Sequence, residues 1–243
     1  MLRDMPLLRQ IRQLIYPPAC LLCHQRLSDE AQIFCDRCVE QMPPIGRPVC
    51  PHCGTGLPGA YDAQLLCATC RSSAPSFDMA RAPWWYRGAV QEAVRQFKYH
   101  RRWRIGRQLA DDMAVLARSS LPVERIDAIL PVPRHWLKSR ARGFNPAALL
   151  ADSVAHALGK PLATHALRQT RWTSTQTRLH GRDRFRNVRE AFAARERFVR
   201  NQRLLLIDDV LTSGATADAC AQTLKQAGAR QVFVLTAART PAS

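Results

Sequence analysis

The sequence predicts an α/β protein in which a parallel sheet flanked by helices follows a small cysteine-rich module. Two observations support this class. Apolar segments of strand and helix length alternate through residues 76–243, and eight of the nine cysteines form four Cys-x-x-Cys pairs before residue 71. With 243 residues, 47% of them hydrophobic, the chain can fold as one large domain or two small ones. We place a boundary between a module at 1–75 and a domain at 76–243.

The cysteine pairs predict two structural zinc sites. One Cys-x-x-Cys knuckle places two thiolates on a turn, and two knuckles complete a tetrahedral Zn²⁺ site. Sequential pairing, a double zinc ribbon, is favoured over an interleaved cross-brace because each site then closes on a short loop. The two ligand sets would be Cys20, Cys23, Cys35 and Cys38, and Cys50, Cys53, Cys67 and Cys70. Four thiolates leave no position for a reactive water, and we expect His24 and His52 to be neighbours rather than ligands.

The rest of the module has simpler patterns. Apolar residues at helical spacing between Leu7 and Ile15 predict a short amphipathic helix that ends at Pro17-Pro18. Arginines interrupt this segment, so it does not resemble a signal peptide, and no run approaches the ~20 apolar residues of a membrane span. We therefore expect a cytoplasmic protein without membrane insertion, where zinc explains the cysteines better than disulfides do. Residues 71–75 predict a linker.

The second part of the chain contains strand-like and helix-like segments in alternation. Strands are predicted at 84–86, 127–131, 203–208 and 231–236, and helices at 90–99, 107–118, 146–158 and 215–227. Alternating elements of this kind form parallel sheets with helices on both faces. Such sheets bind ligands beyond the carboxyl ends of their strands. That rule points to the strand at 203–208, which ends in two carboxylates, Asp208 and Asp209.

A polar turn follows the carboxylates and opens the next helix. Its residues are Thr212, Ser213, Gly214, Ala215 and Thr216. Backbone N–H groups at a helix N-terminus favour a phosphate, the hydroxyls add donors, and the glycine allows close approach. The carboxylates suit ribose hydroxyls, directly or through Mg²⁺. A phosphorylated ribose combines both requirements, and the lack of a Gly-x-x-x-x-Gly-Lys-Ser/Thr loop disfavours a P-loop nucleotidase.

Residues 204–216 resemble the phosphoribosyl pyrophosphate (PRPP) signature of type I phosphoribosyltransferases. With the four cysteine pairs in front, nearly the whole chain resembles the ComF family of competence-associated, phosphoribosyltransferase-like proteins. The resemblance implies a type I phosphoribosyltransferase-like sheet. Three more stretches carry it: Phe97-Lys98-Tyr99, Arg140-Ala-Arg142-Gly143-Phe144-Asn145, and the segment from Gln176 to Val188. Pro146 departs from the family pattern, in which Gln is expected, but proline is easily accommodated at a helix start.

The resemblance further implies a site for PRPP and Mg²⁺. Asp208, Asp209 and the polar turn would bind the phosphoribosyl group, the loop at 132–143 would bind pyrophosphate, and a mobile loop at 170–190 would cover the site. The implied pyrophosphate and lid residues are Arg140, Arg142, Gly143, Gln176, Arg178, Arg182 and Arg186. In an active enzyme, Mg²⁺–pyrophosphate would leave the ribose anomeric carbon, with both carboxylates, Arg140 and Arg142 as catalytic residues.

The net charge of +17 lies entirely within residues 81–243. Two basic blocks stand out: residues 95–107 contain six Lys and Arg and no acid, and residues 168–203 contain 11 Arg and three acids. Such blocks are typical of solvated surfaces and also of proteins that bind polyanions. Aromatic residues near them, Trp103 and Trp172 among others, are suited to stacking on the bases of single-stranded DNA.

Two functions remain open. The family resemblance implies a protein of DNA uptake or utilisation that binds PRPP with magnesium and contacts single-stranded DNA and DNA-uptake proteins. The alternative is an active phosphoribosyltransferase that transfers the phosphoribosyl group from PRPP to an unidentified acceptor. The donor site is complete in the sequence, whereas no segment is assigned to an acceptor base.

Overall fold

The computed structural model describes residues 17–29, 32–59, 65–134, 143–170 and 191–241. Several predictions lie outside these residues: the helix before Pro17, the basic stretch with Arg140 and Arg142, and the covering loop with Gln176, Arg178, Arg182 and Arg186. The roles assigned to those side chains stay predictions.

A five-stranded parallel sheet forms the centre of the molecule. The strands of the described chain are β1 (Met79–Arg81), β2 (Trp84–Trp85), β3 (Ala128–Pro131), β4 (Leu167–Gln169), β5 (Phe192–Ala194), β6 (Arg203–Leu211) and β7 (Gln231–Arg239). In the central sheet β7 and β6 lie side by side, β3 follows β6, and β1 and β2 pair one after the other along the far edge of β7. Every one of these pairs is parallel, which confirms the predicted sheet.

Helices cover both faces of this sheet. Those of the described chain are α1 (Asp36–Glu40), α2 (Ala68–Ser72), α3 (Gly88–His100), α4 (Trp103–Ser120), α5 (Pro146–Leu158) and α6 (Ala215–Gln226), with short 3₁₀ turns at Val123–Arg125 and Glu196–Phe198. Helices α3, α4 and α5 share a core with Leu205 and Ile207, and α6 shares the opposite core with Leu204 and Leu206. Alternate residues of β6 thus enter different layers. Among the described helices, none combines the length and apolar character that crossing a bilayer requires.

Local sequence signals fix the ends of α5. The Asn145 side chain accepts a hydrogen bond from the Ala147 backbone N–H at 3.2 Å, and Pro146 occupies the first helical turn. At the other end Gly159 adopts the left-handed conformation, with φ of 63°. The helix therefore spans the residues predicted for it, and the departure at Pro146 leaves the helix start intact.

The two central strands extend three residues beyond their predicted ends. Their ladder continues from Asp208 opposite Thr236 to Leu211 opposite Arg239. The prediction that the strand ends at the two carboxylates is wrong, because the backbone of β6 continues to pair with β7 beyond these polar side chains. Asp208 and Asp209 consequently lie within β6 rather than at its tip. The ladder with β7 continues past them, whereas pairing with β3 ends at Ile207.

Other elements were absent from the prediction. Strand β1 is three residues long, and β4 and β5 form a separate antiparallel pair whose strands lie before and after the segment 171–190. The linker predicted at 71–75 is wrong in its first part, because Arg71 and Ser72 complete α2. The domain boundary after residue 75 stays a prediction.

The cysteine-rich module wraps one edge of the sheet. Its first half shares a core with α3 and α4, and its second half shares the core of the opposite face. The connection between the halves runs along β2: Trp85 donates its backbone N–H to Pro43 at 2.9 Å, and Ile45 donates to Pro83 at 2.9 Å. Pro44 forms an antiparallel bridge with Trp84. The module therefore reaches both faces of the sheet from a single edge.

Candidate functional site

Eight cysteines form two clusters of four. The first cysteine cluster is Cys20, Cys23, Cys35 and Cys38, and the second is Cys50, Cys53, Cys67 and Cys70. Within each cluster, all four sulfur atoms lie within 4.8 Å of one another. The pairing is sequential, as the sequence favours, and not a cross-brace. Four thiolates around one point are the ligand set of a structural Zn²⁺ ion, and the donor chemistry fits zinc in both clusters.

The histidines beside the cysteines have other partners or positions. His52 Nε2 lies 2.5 Å from the carbonyl oxygen of Phe77, just before β1. His24 is exposed, in a left-handed turn with φ of 62°. Neither belongs to the two metal-ligating groups found among the described residues, which agrees with their predicted place as neighbours. His52 instead ties the second cluster to the sheet.

The second cluster lies directly against the sheet edge. Ala80 donates its backbone N–H to His52 at 2.7 Å, and Arg81 Nη1 donates to the carbonyl of Pro51 at 3.1 Å. Gly54 has φ of +71°, and a Cβ there would lie 2.3 Å from the carbonyl oxygen of Ala80. Arg239, at the end of β7, donates from Nη1 to the carbonyl of Cys53. The cluster is thus fixed at the carboxyl end of the sheet, where ligands of such folds bind.

The two predicted carboxylates belong to consecutive residues of β6, and a lysine pairs with the second of them. Lys98 Nζ lies 2.7 Å from Asp209 Oδ1, and each of these side chains is only 16% exposed. The Asp209 backbone N–H donates to Asp208 Oδ1 at 2.8 Å. Burial raises the pKa of Asp208 to about 7, with the charge of Asp209 adding to the shift and the charges of Lys98 and Arg134 opposing it. Near neutral pH the pair thus carries less than two negative charges.

The polar turn has the shape expected of an anion-binding loop. Gly214 has φ of +79° and precedes α6, a helix of 12 residues. Ser213 Oγ accepts a long hydrogen bond of 3.4 Å from the Ala215 N–H, and the side chains of Thr212, Ser213 and Thr216 are exposed. The loop therefore presents hydroxyls and the N-terminus of α6 to solvent, three residues after Asp209.

The connection between β3 and α5 is fixed by hydrogen bonds near β6 at both of its described ends. Val132 donates its backbone N–H to Ile207 at 2.8 Å. On the other side Asn145 Nδ2 donates to the carbonyl of Val132 at 3.1 Å. Gly143, one of the predicted pyrophosphate residues, adopts φ of +79°. The connection predicted to bind pyrophosphate therefore starts and ends beside the carboxylate strand.

Two of the stretches that carry the family resemblance, 97–99 and 140–145, meet in an aromatic cluster. The ring of Phe144 lies 6.0 Å from that of Phe97 and 4.8 Å from that of Trp103. This contact places the end of α3, and with it Lys98, beside the connection to α5. Sequence reasoning assigned no role to Lys98, although this residue belongs to the stretch 97–99 that carries the family resemblance and is the single lysine of the block 95–107.

The fold and its cysteine clusters define an α/β protein with an N-terminal double zinc ribbon. Residues 11–71 match the family model described as "Double zinc ribbon domain". The chain is 32% identical to DNA utilization protein YhgH of Salmonella typhimurium over 93% of this chain and 99% of that protein. It is 28% identical to Competence protein F of Haemophilus influenzae over 90% of this chain and 96% of that protein. The chain belongs to the family of these proteins, the ComF family.

A comparison with solved structures also matches the chain to glutamine phosphoribosylpyrophosphate (PRPP) amidotransferase from B. subtilis complexed with ADP and GMP. The sequences are 21% identical, the match covers 58% of this chain and 30% of that one, and the TM-score is 0.41.

Proposed function

We propose that the protein binds PRPP, or a related phosphoribosyl ligand, together with Mg²⁺ at the carboxyl end of β6, and that it acts in DNA uptake or utilisation. The observation that carries the proposal is the paired carboxylates of β6 followed, three residues later, by an exposed hydroxyl-rich loop at the N-terminus of α6. A phosphate and a ribose need these two kinds of group side by side. The names of the two relatives support the DNA-related role.

Each part of the site would bind a different part of the ligand. The loop at 212–216 would bind the 5′-phosphate, and Asp208 and Asp209 would bind the ribose hydroxyls. Their oxygen atoms suit magnesium, which would neutralise charge on the pyrophosphate. Lys98 would hold the Asp209 carboxylate in place through their ion pair, because a buried carboxylate without a cation is costly.

Calorimetry with PRPP and Mg²⁺ tests the proposal. Asp209→Asn removes the charge but keeps the shape, and should weaken binding about tenfold or more, as loss of a charged hydrogen-bonding partner does. Asp152→Asn, on the exposed side of α5, is the matched control and should bind like the wild type. Absence of PRPP binding by the wild-type protein would reject the proposal, as would equal affinities of the two variants.

Contact with single-stranded DNA is supported by the surface around the start of α4. Tyr99 and Trp103 are 61% and 49% exposed, and Arg101, Arg102 and Arg104 beside them are exposed too. Exposed rings can stack on bases while the arginines neutralise phosphates. Titration of single-stranded DNA at several salt concentrations should give a steep loss of affinity with salt. A response that is flat between low and high salt would contradict this contact.

Phosphoribosyl transfer is the second candidate function. The proximity of two carboxylates to the predicted ribose position favours it, because negative charge stabilises the positive charge that develops on the ring as pyrophosphate leaves. Incubation with PRPP, Mg²⁺ and candidate bases should release pyrophosphate if the protein is an enzyme. Tight PRPP binding without release of pyrophosphate would instead indicate that PRPP modulates the protein and is not its substrate.

A further inference from the structure

The two-residue connection between α3 and α4 joins the surface proposed for single-stranded DNA to the proposed PRPP site. Near the end of α3, Lys98 pairs through Nζ with Asp209 Oδ1 at 2.7 Å, on the carboxylate strand. At the start of α4, Trp103 is 49% exposed on the surface proposed for DNA. Arg101 and Arg102 form the connection, and both are exposed. A DNA strand on this surface would therefore contact residues that closely follow Lys98 in the chain.

Arg101 also contacts the connection that is predicted to bind pyrophosphate. It follows α3 in the left-handed conformation, with φ of 53°. A Cβ on Gly143 would lie 2.4 Å from Nη2 of Arg101, so the guanidinium lies directly against the backbone of this glycine. Gly143 is one of the residues predicted for pyrophosphate. The guanidinium thus lies beside the pyrophosphate end of the proposed ligand and also on the exposed surface.

Aromatic packing keeps this arrangement in place. The backbone N–H of Trp103 donates to the carbonyl of Arg101 at 2.9 Å, so the connection is a tight turn. The ring of Phe144 packs against those of Phe97 and Trp103. Phe97 in turn lies on Gly106 of α4, where a Cβ would be 2.4 Å from the ring. The start of α4 and the chain next to Gly143 are therefore held together as one packed unit.

The charges on this unit favour competition between two anionic ligands. PRPP remains negatively charged with Mg²⁺ bound, and DNA carries one negative charge per phosphate. The guanidinium of Arg101 supplies a single positive charge at their meeting point, and Lys98 is already paired with Asp209. Like charges brought close together repel one another. An anion that pairs with Arg101 therefore leaves the second anion with less neutralisation and more repulsion.

We propose that single-stranded DNA and PRPP oppose each other's binding through Arg101; this inference rests on the function proposed above. A DNA strand on the exposed surface pairs its phosphates with the guanidinium and so withdraws it from the pyrophosphate of PRPP. PRPP weakens DNA binding by the same factor, because the coupling free energy between two ligands is reciprocal. We expect a factor of about five or more, as is typical of coupled sites.

Calorimetry of PRPP with Mg²⁺ tests the coupling. The full-length, zinc-loaded protein is titrated alone and saturated with a short oligothymidylate, at one ionic strength because salt screens both interactions. PRPP should bind about fivefold or more weakly to the DNA complex. Ribose 5-phosphate lacks the pyrophosphate and should bind equally well with and without DNA. An unchanged or increased PRPP affinity would overturn the inference, as would an equal loss for ribose 5-phosphate.

Arg101→Gln removes the shared charge and keeps a hydrogen-bonding side chain. Each ligand alone should bind more weakly to this variant, and the oligothymidylate should no longer alter PRPP affinity. Arg118→Gln is the matched control, because Arg118 is an exposed arginine near the other end of α4, about 20 Å along the helix, and donates to the carbonyl of Ala157. It should show the wild-type coupling. Undiminished coupling in Arg101→Gln would reject the role of this arginine.

The two proposals fail in different ways. If PRPP and the oligothymidylate each bind alone but do not affect one another, the coupling is overturned and both binding sites stand. If PRPP binds and the oligothymidylate does not, the DNA contact and the coupling are rejected together, and the phosphoribosyl site stands. If PRPP alone does not bind, the proposed function falls, and the inference that rests on it falls as well.

Discussion

The two cysteine clusters have the same ligand set but different neighbours. The first shares its core with α3 and α4, and Gln41, just after α1, approaches the start of α3 at Gly88. The second shares its core with α6 and lines a cleft beside the loop at 212–216. Equivalent metal sites therefore support different parts of the protein. The first supports the helix that carries Lys98, and the second is itself a wall of the candidate ligand site.

Removal of one zinc ligand should produce the largest effect. Cys38→Ser and Cys70→Ser should each reduce bound zinc from two ions per chain to about one, because a structural site needs all four ligands. Zinc binding contributes on the order of 10 kcal/mol to folding in small zinc modules, so both variants should lose several kcal/mol of stability. Cys70→Ser should also weaken PRPP binding more than Cys38→Ser does, because the second cluster lines the cleft beside the loop at 212–216.

Metal analysis and calorimetry on the same samples check this difference. Cys220→Ala is the control, because Cys220 lies in the core around α6 and outside both clusters, and it should keep two zinc ions. Equal PRPP affinities of Cys38→Ser and Cys70→Ser, each with one zinc lost, would show that the two clusters are equivalent after all.

A smaller effect is expected where the second cluster meets the sheet. Gly54→Ala places a Cβ 2.3 Å from the Ala80 carbonyl oxygen in a left-handed backbone conformation. The strain and the clash should destabilise the protein by about 2 kcal/mol or more. Gly46→Ala, between the clusters, meets nothing within 4 Å and should change stability by less than ~0.5 kcal/mol. Urea denaturation measures both values, and equal midpoints would mean that the close approach at Gly54 relaxes freely.

Substitution of Lys98 tests the part of the site that lies on α3, the helix supported by the first cluster. Lys98→Met retains the length of the side chain but leaves Asp209 without the cation 2.7 Å away. PRPP affinity should fall about tenfold, as loss of a charged partner does. Lys225→Met is matched, since Lys225 is also paired, with Asp78 Oδ2 at 3.0 Å, away from the carboxylates. If calorimetry gives the two variants the same PRPP affinity, Lys98 does not contribute to the site.

The smallest effect concerns the pH dependence of stability. Because the pKa of Asp208 is raised from 3.8 to about 7, the folded protein holds a proton that the unfolded chain has lost between these values. Stability from this group is present below pH ~4 and is lost as pH rises through 7. Asp208→Asn should therefore gain stability relative to wild type between pH 6 and pH 8, by ~1 kcal/mol or more.

The comparison of the two proteins at each pH in urea cancels the pH dependence of the zinc sites. A stability difference that is constant from pH 6 to pH 8 would contradict the raised pKa. A difference with the opposite sign would mean that Lys98 dominates the environment of both carboxylates.

Local sequence patterns predicted most of the fold. Repeated Cys-x-x-Cys spacing predicted the clusters, and the many Ala and Leu residues between 146 and 158 predicted α5. The ends of β6 and β7 could not be predicted in the same way, because their last residues include polar side chains whose backbone still pairs. Hydrogen bonding to a neighbouring strand is not encoded in the residue types of one strand alone.

The candidate site was predicted where it is continuous in sequence and missed where it is assembled by the fold. Residues 204–216 supply both the carboxylates and the loop, so one motif is sufficient to find them. The pairing of Lys98 with Asp209 joins α3 to β6, and the hydrogen bond from Arg239 to the carbonyl of Cys53 joins the module to β7. Such contacts depend on how separate elements pack, which one sequence does not specify.

The path of the cysteine-rich module along β2 also protects the protein from aggregation. Edge strands with free backbone groups can pair with another chain. Here Pro43, Pro44 and Ile45 occupy backbone positions beside β2, and His52 accepts the N–H of Ala80 in β1. Zinc thus holds in place the segments that cap this edge of the sheet. Loss of metal would uncover the backbone of β1 and β2 together, so zinc-depleted protein should self-associate through strand pairing.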